Sequence, residues 1–172
     1  MIPYDLTRIK AVVFDVDGVL SPSTIQMNDA GVPVRMVNIK DGYAMQLAAK
    51  KGLKMAIITG ADTPSIAVRY NALGIKDVYL KASDKLPLLE SWMEANRLSR
   101  EEVAYVGDDI PDIPALRHVG LSIAPADAAV DVKGIVTYVS PVSGGYGVAR
   151  ELLEQLLRAK GLWMTHADAF GW

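Results

Sequence analysis

The sequence predicts one α/β domain built on a doubly wound, Rossmann-like parallel sheet. Short apolar runs rich in β-branched residues stop abruptly at three places: Ala11-Val12-Val13-Phe14 before Asp15, Met55-Ala56-Ile57-Ile58 before Thr59-Gly60, and Val103-Ala104-Tyr105-Val106 before Gly107-Asp108-Asp109. Unbroken hydrophobicity over such a length marks a strand covered on both faces. Helical patterns separate the runs, so strand and helix alternate along the chain. At 172 residues, 51% of them hydrophobic, one core suffices.

After the first strand, residues 24–27 and 32–38 read as two further strands, and Asn28-Asp29-Ala30-Gly31 supplies the turn between them. A β-hairpin is therefore predicted to project from an insertion over residues 21–38. Helices are expected over 42–51, 64–73 and 85–96. The last of these carries Leu88, Leu89, Trp92 and Met93 on one face, with Ser83 or Asp84 as its N-cap. Runs at 78–80, 121–123 and 135–139 add strands, and 149–159 reads as a closing helix with Leu152, Leu153, Leu156 and Leu157 inward. Residues 161–172 show no periodicity. Trp163 and Trp172 lie in this tail, and because exposed tryptophans pack against something, the tail is expected to dock on a neighbouring subunit.

Composition narrows the function. Eighteen Lys and Arg against 20 Asp and Glu, with no basic run, argue against binding nucleic acid. The absence of cysteine excludes disulfides, thiolate metal sites and a cysteine nucleophile. No apolar stretch approaches 18 residues and residues 1–10 lack a signal-peptide core, so a cytoplasmic protein with a small-molecule partner and no membrane contact is expected.

Asp15 and Asp17 stand two apart at the end of the first strand, where Gly18 lets the backbone turn away. The strand ending at Val106 delivers Asp108, Asp109 and Asp112 to the same sheet edge, where open α/β sheets bind ligands. Converging carboxylates repel unless a cation intervenes, and hard oxygen donors suit Mg²⁺ with room left for a phosphate. Phosphoryl transfer needs a nucleophile, positive charge and a proton donor. Asp15 is the candidate nucleophile, forming an aspartyl-phosphate, and Asp17 the acid and base. Thr59 and the Gly60 N–H are candidates for binding phosphate oxygens, with Lys85 at a helix start as a fixed positive charge.

A lone D-x-D or Thr-Gly is weak, but the ordered set is specific. It resembles the haloacid dehalogenase superfamily of phosphohydrolases, with Asp15-Val16-Asp17-Gly18-Val19, Thr59, Lys85 and Gly107-Asp108-Asp109-Ile110-Pro111-Asp112 as the four motifs. The resemblance implies that Asp15, the Asp17 carbonyl and Asp108 hold Mg²⁺, while Asp112 or Asp109 supports Lys85 and the metal's water from behind. There is space only for the hairpin where many members carry a cap domain, so the chain looks capless and a neighbouring subunit is expected to wall the site.

The hairpin, Asn38-Ile39-Lys40-Asp41-Gly42-Tyr43, Tyr105-Val106-Gly107-Asp108-Asp109 and Gly144-Gly145-Tyr146-Gly147-Val148-Ala149-Arg150-Glu151 look like the 3-deoxy-D-manno-octulosonate 8-phosphate (KDO 8-phosphate) phosphatase family. That resemblance implies a homotetramer, a role in lipopolysaccharide biosynthesis, and substrate contacts from Asn38, Ile39, Lys40, Asp41, Gly42 and Arg69. Two positions depart from it: the usual arginine after Thr-Gly is Ala61, and a basic residue on the helix after Asp41-Gly42 is Gln46. Both losses fall where a sugar carboxylate or phosphate would be gripped, which keeps a related nonulosonate 9-phosphate in view as substrate.

Gly145-Tyr146-Gly147 before a helix fits a tight turn better than a dinucleotide fingerprint, since Arg150 stands at the third glycine position. His118 and His166 have no partner at ligand spacing. A phosphorelay receiver would place its acid pair first and its lysine last, the reverse of this order. An idle regulatory domain would not keep every catalytic position.

Overall fold

The computed structural model describes residues 1–165 and 167–171. In chain order its elements are β1 (Ala11–Phe14), β2 (Gln26–Met27), β3 (Pro33–Val34), α1 (Ile39–Lys50), β4 (Lys54–Ile58), α2 (Pro64–Ala72), β5 (Asp77–Tyr79), α3 (Lys85–Ala95), β6 (Val103–Val106), α4 (Ile113–His118), β7 (Leu121–Ala124), α5 (Val130–Lys133), β8 (Tyr138–Val139) and α6 (Val148–Ala159). Six strands make one parallel sheet in the order β5-β4-β1-β6-β7-β8. Phe14, the last residue of β1, lies opposite Ile57 on one side and Val106 on the other. The chain first builds outward through β4 and β5, then crosses β1 to add β6, β7 and β8. Winding reverses at the carboxyl end of β1, and a crevice opens where such a reversal occurs.

Side-chain alternation along β1 builds two cores. Val12 and Phe14 face α1, α2 and α6, whereas Ala11 and Val13 face α3, α4 and α5. Leu152, Leu153, Leu156 and Leu157 of α6 are buried in the first layer, as their spacing predicts. Trp92 and Met93 fill the second.

Three places differ most from the sequence expectation, one being the strand expected over 135–139, which forms only as β8. Helix α1 begins at Ile39 rather than at residue 42, because the Asn38 side chain caps it, accepting from the N–H groups of Lys40 at 2.9 Å and Asp41 at 3.2 Å. Ile39 and Lys40 are exposed, so they lie outside the buried pattern that betrays a helix. The hairpin strands shrink to two residues each, with Gln26 opposite Val34 and Met27 opposite Pro33, which has no N–H to extend the ladder. Its turn forms where predicted: Asn28 Oδ1 accepts from the N–H groups of Ala30 at 3.0 Å and Val32 at 2.9 Å.

In the described part of the tail, Trp163 and Ala169 pack on their own chain and join the first core, while Met164 and Phe170 are exposed. The Arg150 guanidinium lies 4.7 Å from the centre of the Trp163 ring and 5.6 Å from that of Tyr43. The Tyr43 hydroxyl donates to the Ala169 carbonyl. Cation–π contact and apolar burial together anchor the segment. Trp172 and His166 lie outside the described residues.

Candidate active site

The carboxyl ends of β1, β4 and β6 open into a cavity of about 420 Å³ whose walls include Asp15, Asp17, Thr59, Gly60, Lys85, Asp108, Asp109 and Asp112. Three parallel strands in register therefore bring the four sequence motifs together. Asp15 follows β1 directly and is buried, its Oδ1 accepting from the Val16 N–H at 2.7 Å and its Oδ2 lying 2.7 Å from Lys85 Nζ. Thr59 follows β4, also buried, with its backbone pinned through Tyr79 and Ala82. Lys85 is the first residue of α3, and its ammonium sits inside the protein between Asp15 and Asp112.

Asp112 is fully engaged. Its Oδ1 accepts from Lys85 Nζ at 2.7 Å and the Tyr105 hydroxyl at 2.8 Å, and its Oδ2 from the N–H groups of Asp108 at 3.1 Å and Asp109 at 3.4 Å. A Cβ on Gly107 would stand 2.5 Å from Asp112 Cγ, so only glycine lets this carboxylate lie against the strand end. Asp109 is exposed at the rim.

Asp108 is different. Its Oδ1 is buried without a hydrogen-bond partner, and a Cβ on Gly18 would stand 1.9 Å from its Oδ2. The carboxylate thus rests against the residue bonded to the Asp17 carbonyl carbon. Oxygens of Asp15, Asp108 and Asp112 come within 4.8 Å of one another. Burial, reinforced by the neighbouring charges of Asp15 and Asp112, pushes Asp108 up to about 7, and burial with Asp112 pushes Asp15 up to about 6. For Lys85 burial works downward, but Asp15 and Asp112 outweigh it and hold the ammonium above its ordinary value. An orphaned buried carboxylate oxygen beside a second buried carboxylate suits a hard divalent cation.

Asp17 does not point into the cluster. Arg35 from the hairpin grips it, with Nε 2.6 Å from Oδ1 and Nη2 2.8 Å from Oδ2, while Nη1 donates to Thr63 Oγ1 at 2.8 Å. Sequence reasoning missed Arg35: it is one polar residue in an irregular strand, and only the three-dimensional return of the hairpin discloses its reach. The Tyr105 hydroxyl was equally hidden inside an apolar run.

The residues expected to touch substrate through the family resemblance do not line this cavity. Asn38 caps α1 and donates to the Gly145 carbonyl, Ile39 and Lys40 are exposed, and Asp41 is buried with Oδ1 accepting from the Arg150 N–H at 2.6 Å. Gly42 is packed against the Arg69 guanidinium, and Arg69 lines a separate side cavity. The Gly144–Gly147 turn braces the loop after β1, its Gly145 N–H donating to Val19 at 2.8 Å. His118 lies beside Glu90, Nδ1 3.4 Å from Oε1.

A strand-borne aspartate, a strand-end threonine and a buried lysine around one acidic crevice define a haloacid dehalogenase-like hydrolase, and the model of that family matches residues 38–120. The 3-deoxy-D-manno-octulosonate 8-phosphate phosphatase KdsC of Salmonella typhimurium is 38% identical over 162 residues, covering 92% of this chain and 86% of that protein. The phosphatase of Moraxella catarrhalis, solved with magnesium ion, phosphate ion and KDO, superposes with a TM-score of 0.86 at 31% identity, covering 90% of this chain and 89% of that one. The cobalt-bound phosphatase of Haemophilus influenzae gives 0.89 at 32% identity, covering 96% and 98%. The chain belongs to the KDO 8-phosphate phosphatase family.

Proposed function

We propose that the protein is a magnesium-dependent phosphomonoesterase that hydrolyses KDO 8-phosphate through an aspartyl-phosphate on Asp15. The observation that carries this is the buried Asp15, fixed by Lys85 and the Val16 N–H beside an unpartnered Asp108 oxygen. Asp15, the Asp17 carbonyl and Asp108 would hold Mg²⁺, with Asp112 behind them. Held there by these residues, a magnesium ion would supply charge neutralisation for the carboxylates and for the phosphoryl oxygens.

An Asp15 oxygen attacks phosphorus as the bond to the sugar oxygen breaks, and Asp17 delivers a proton to that oxygen. Thr59, the Gly60 N–H and Lys85 bind the equatorial oxygens. Asp17 then takes a proton from the water that cleaves the aspartyl-phosphate, releasing inorganic phosphate and restoring Asp15.

The proposal includes a cytoplasmic homotetramer serving lipopolysaccharide biosynthesis. Met27, Val32, Val34, Met36 and Val37 are exposed on and beside the hairpin, an apolar surface suited to contact with a second copy. Ile39 and Lys40 are exposed next to it and would face a neighbour's substrate, while Asp41 and Gly42 act by seating α6 and Arg69.

Phosphate release from a panel of sugar phosphates, with Mg²⁺ and with chelator, tests the reading. KDO 8-phosphate is expected to give the highest kcat/KM, with turnover abolished in Asp15→Asn and strongly reduced in Asp17→Asn. Preference for a nonulosonate 9-phosphate would reassign the sugar. Full turnover in Asp15→Asn would remove the nucleophile.

A further inference from the structure

The edge of the sheet opposite the crevice carries a second large cavity, about 400 Å³, at the amino ends of β1 and β4. Five cationic residues wall it, Lys10, Lys51, Lys54, Arg97 and Lys160, and among the described residues no carboxylate does. Its floor is apolar: Ile9, Leu53 and Leu157 are buried, and Leu98 and Leu162 are half-buried. The crevice gathers acids at one end of the sheet, and this cavity gathers bases at the other.

Cations have one ordinary reason to be here, since α1, α3 and α6 end at this edge and each helix end carries roughly half a negative charge. That reason does not exhaust them. Glu102 lies 2.5 Å from Lys10 Nζ and Asp5 acts on Lys160, so with the three helix ends included about one to two positive charges are left unanswered. Crowding shows at Lys160, whose ammonium is held below the ordinary lysine value by burial and by the charge of Lys10, against the pull of Asp5. Lys54 Nζ donates to Asn96 Oδ1 at 2.8 Å and Lys160 Nζ to the Thr7 carbonyl at 2.7 Å. An ammonium has three donors, so both keep N–H groups for a ligand.

The backbone points the same way. The residue after the C-cap is a left-handed glycine in α1, α2 and α6, namely Gly52, Gly74 and Gly161, with φ of 83°, 90° and 67°. In α3 that position is Arg97, at φ 55°, where any side chain costs free energy that glycine would not. The strain is kept where it adds a guanidinium to the cavity wall.

We propose that this cavity binds a phosphorylated small molecule with an apolar body, of the nucleoside polyphosphate kind, its phosphates on the ammonium and guanidinium groups and its body on the leucines. Lysines serve phosphate as point charges, and a cavity of this volume suits a ligand of that size. The site is separate from the acidic crevice and does not depend on the phosphomonoesterase reading.

The test is isothermal titration calorimetry with ATP and with inorganic triphosphate, in chelator so that the crevice has no metal to attract either. ATP is expected to bind saturably and at least about 10-fold more tightly than triphosphate, because its body covers the apolar floor. Lys54→Glu should raise Kd about 10- to 100-fold, as for loss of hydrogen bonds to a charged group. Lys76→Glu, exposed and outside the cavity wall, and Asp15→Asn should leave Kd within about twofold. Arg97→Gly separates a ligand role from a structural one: it should raise Kd about 10-fold and also raise the melting temperature by about 2 °C as the strain is relieved. Absence of binding, equal affinity for triphosphate, an equal loss in Lys76→Glu, or loss of binding in Asp15→Asn overturns the proposal. So does a lower melting temperature in Arg97→Gly, which would make Arg97 a support for the end of α3.

Discussion

Asp112 Oδ1 accepts a hydrogen bond from Lys85 Nζ at 2.7 Å, and both residues are enclosed by the protein. The Tyr105 hydroxyl and two backbone N–H groups hold the same carboxylate, so its position is over-determined. Asp112 therefore acts as an anchor, and the ammonium it fixes faces Asp15. The charge of Lys85 is in place before any substrate arrives, which is the condition under which a buried cation assists a developing transition state at no reorganisation cost.

Lys85→Met should accordingly cost about 10²–10³ in kcat, and Asp112→Asn should cost nearly as much although it does not face the phosphoryl group. Both act on the placement of one ammonium, so the double variant is expected to lose little beyond the worse single one. Steady-state kinetics of the four proteins decide this; losses that multiply would show the two residues to act independently.

The sheet was legible because its strands are covered on both faces and advertise themselves as unbroken apolar runs, and the motif residues follow those runs immediately. What stayed hidden depends on contacts across long sequence separations. Arg35 reaches Asp17 only because a hairpin folds back, and a two-residue strand leaves too little alternation to show which way it points. Trp163 was rightly expected to pack on something, but its partner, the Arg150 guanidinium on α6, looks like any solvated charge in sequence. Lys85 was read as the fixed positive charge with Asp112 or Asp109 behind it, but its direct pairing with Asp15 as well as Asp112 depends on contacts that sequence does not display.

Acid–base titration should expose the metal site. Asp15 and Asp108, raised to about 6 and about 7, bind protons more tightly when folded than when unfolded. Their contribution to stability is present in full below the ordinary carboxylate range and disappears as pH climbs through 6 and 7. Asp41, raised by burial to about 6 with its Oδ2 unpartnered, adds in the same direction. The metal-free protein is expected to lose roughly 5–10 °C of melting temperature between pH 5 and 8. Mg²⁺ should restore more at pH 8 than at pH 5, because there it competes with fewer protons. Asp41→Asn should flatten the part of the slope that Mg²⁺ leaves untouched. Thermal melts with metal and with chelator across that range measure all three; a metal-free protein that gains stability up to pH 8 would contradict the raised carboxyls.

The docking of the tail on its own chain has a consequence that separates it from subunit assembly. Trp163 is buried against Tyr43, with ring centres 6.2 Å apart and nearly perpendicular, and the Arg150 guanidinium lies over it. The backbone N–H of Arg150 in turn donates to Asp41, linking the tail to the first turn of α1. Trp163→Ala should therefore cost about 3 kcal/mol or more in urea unfolding, within the usual range for losing a buried tryptophan. The cost should appear in the stability of each protomer, while light scattering finds the same number of subunits per particle as in the unaltered protein. Dissociation of the assembly at unchanged protomer stability would mean that the ring holds a neighbour instead, against the intrachain packing of Trp163 with Arg150 and Tyr43.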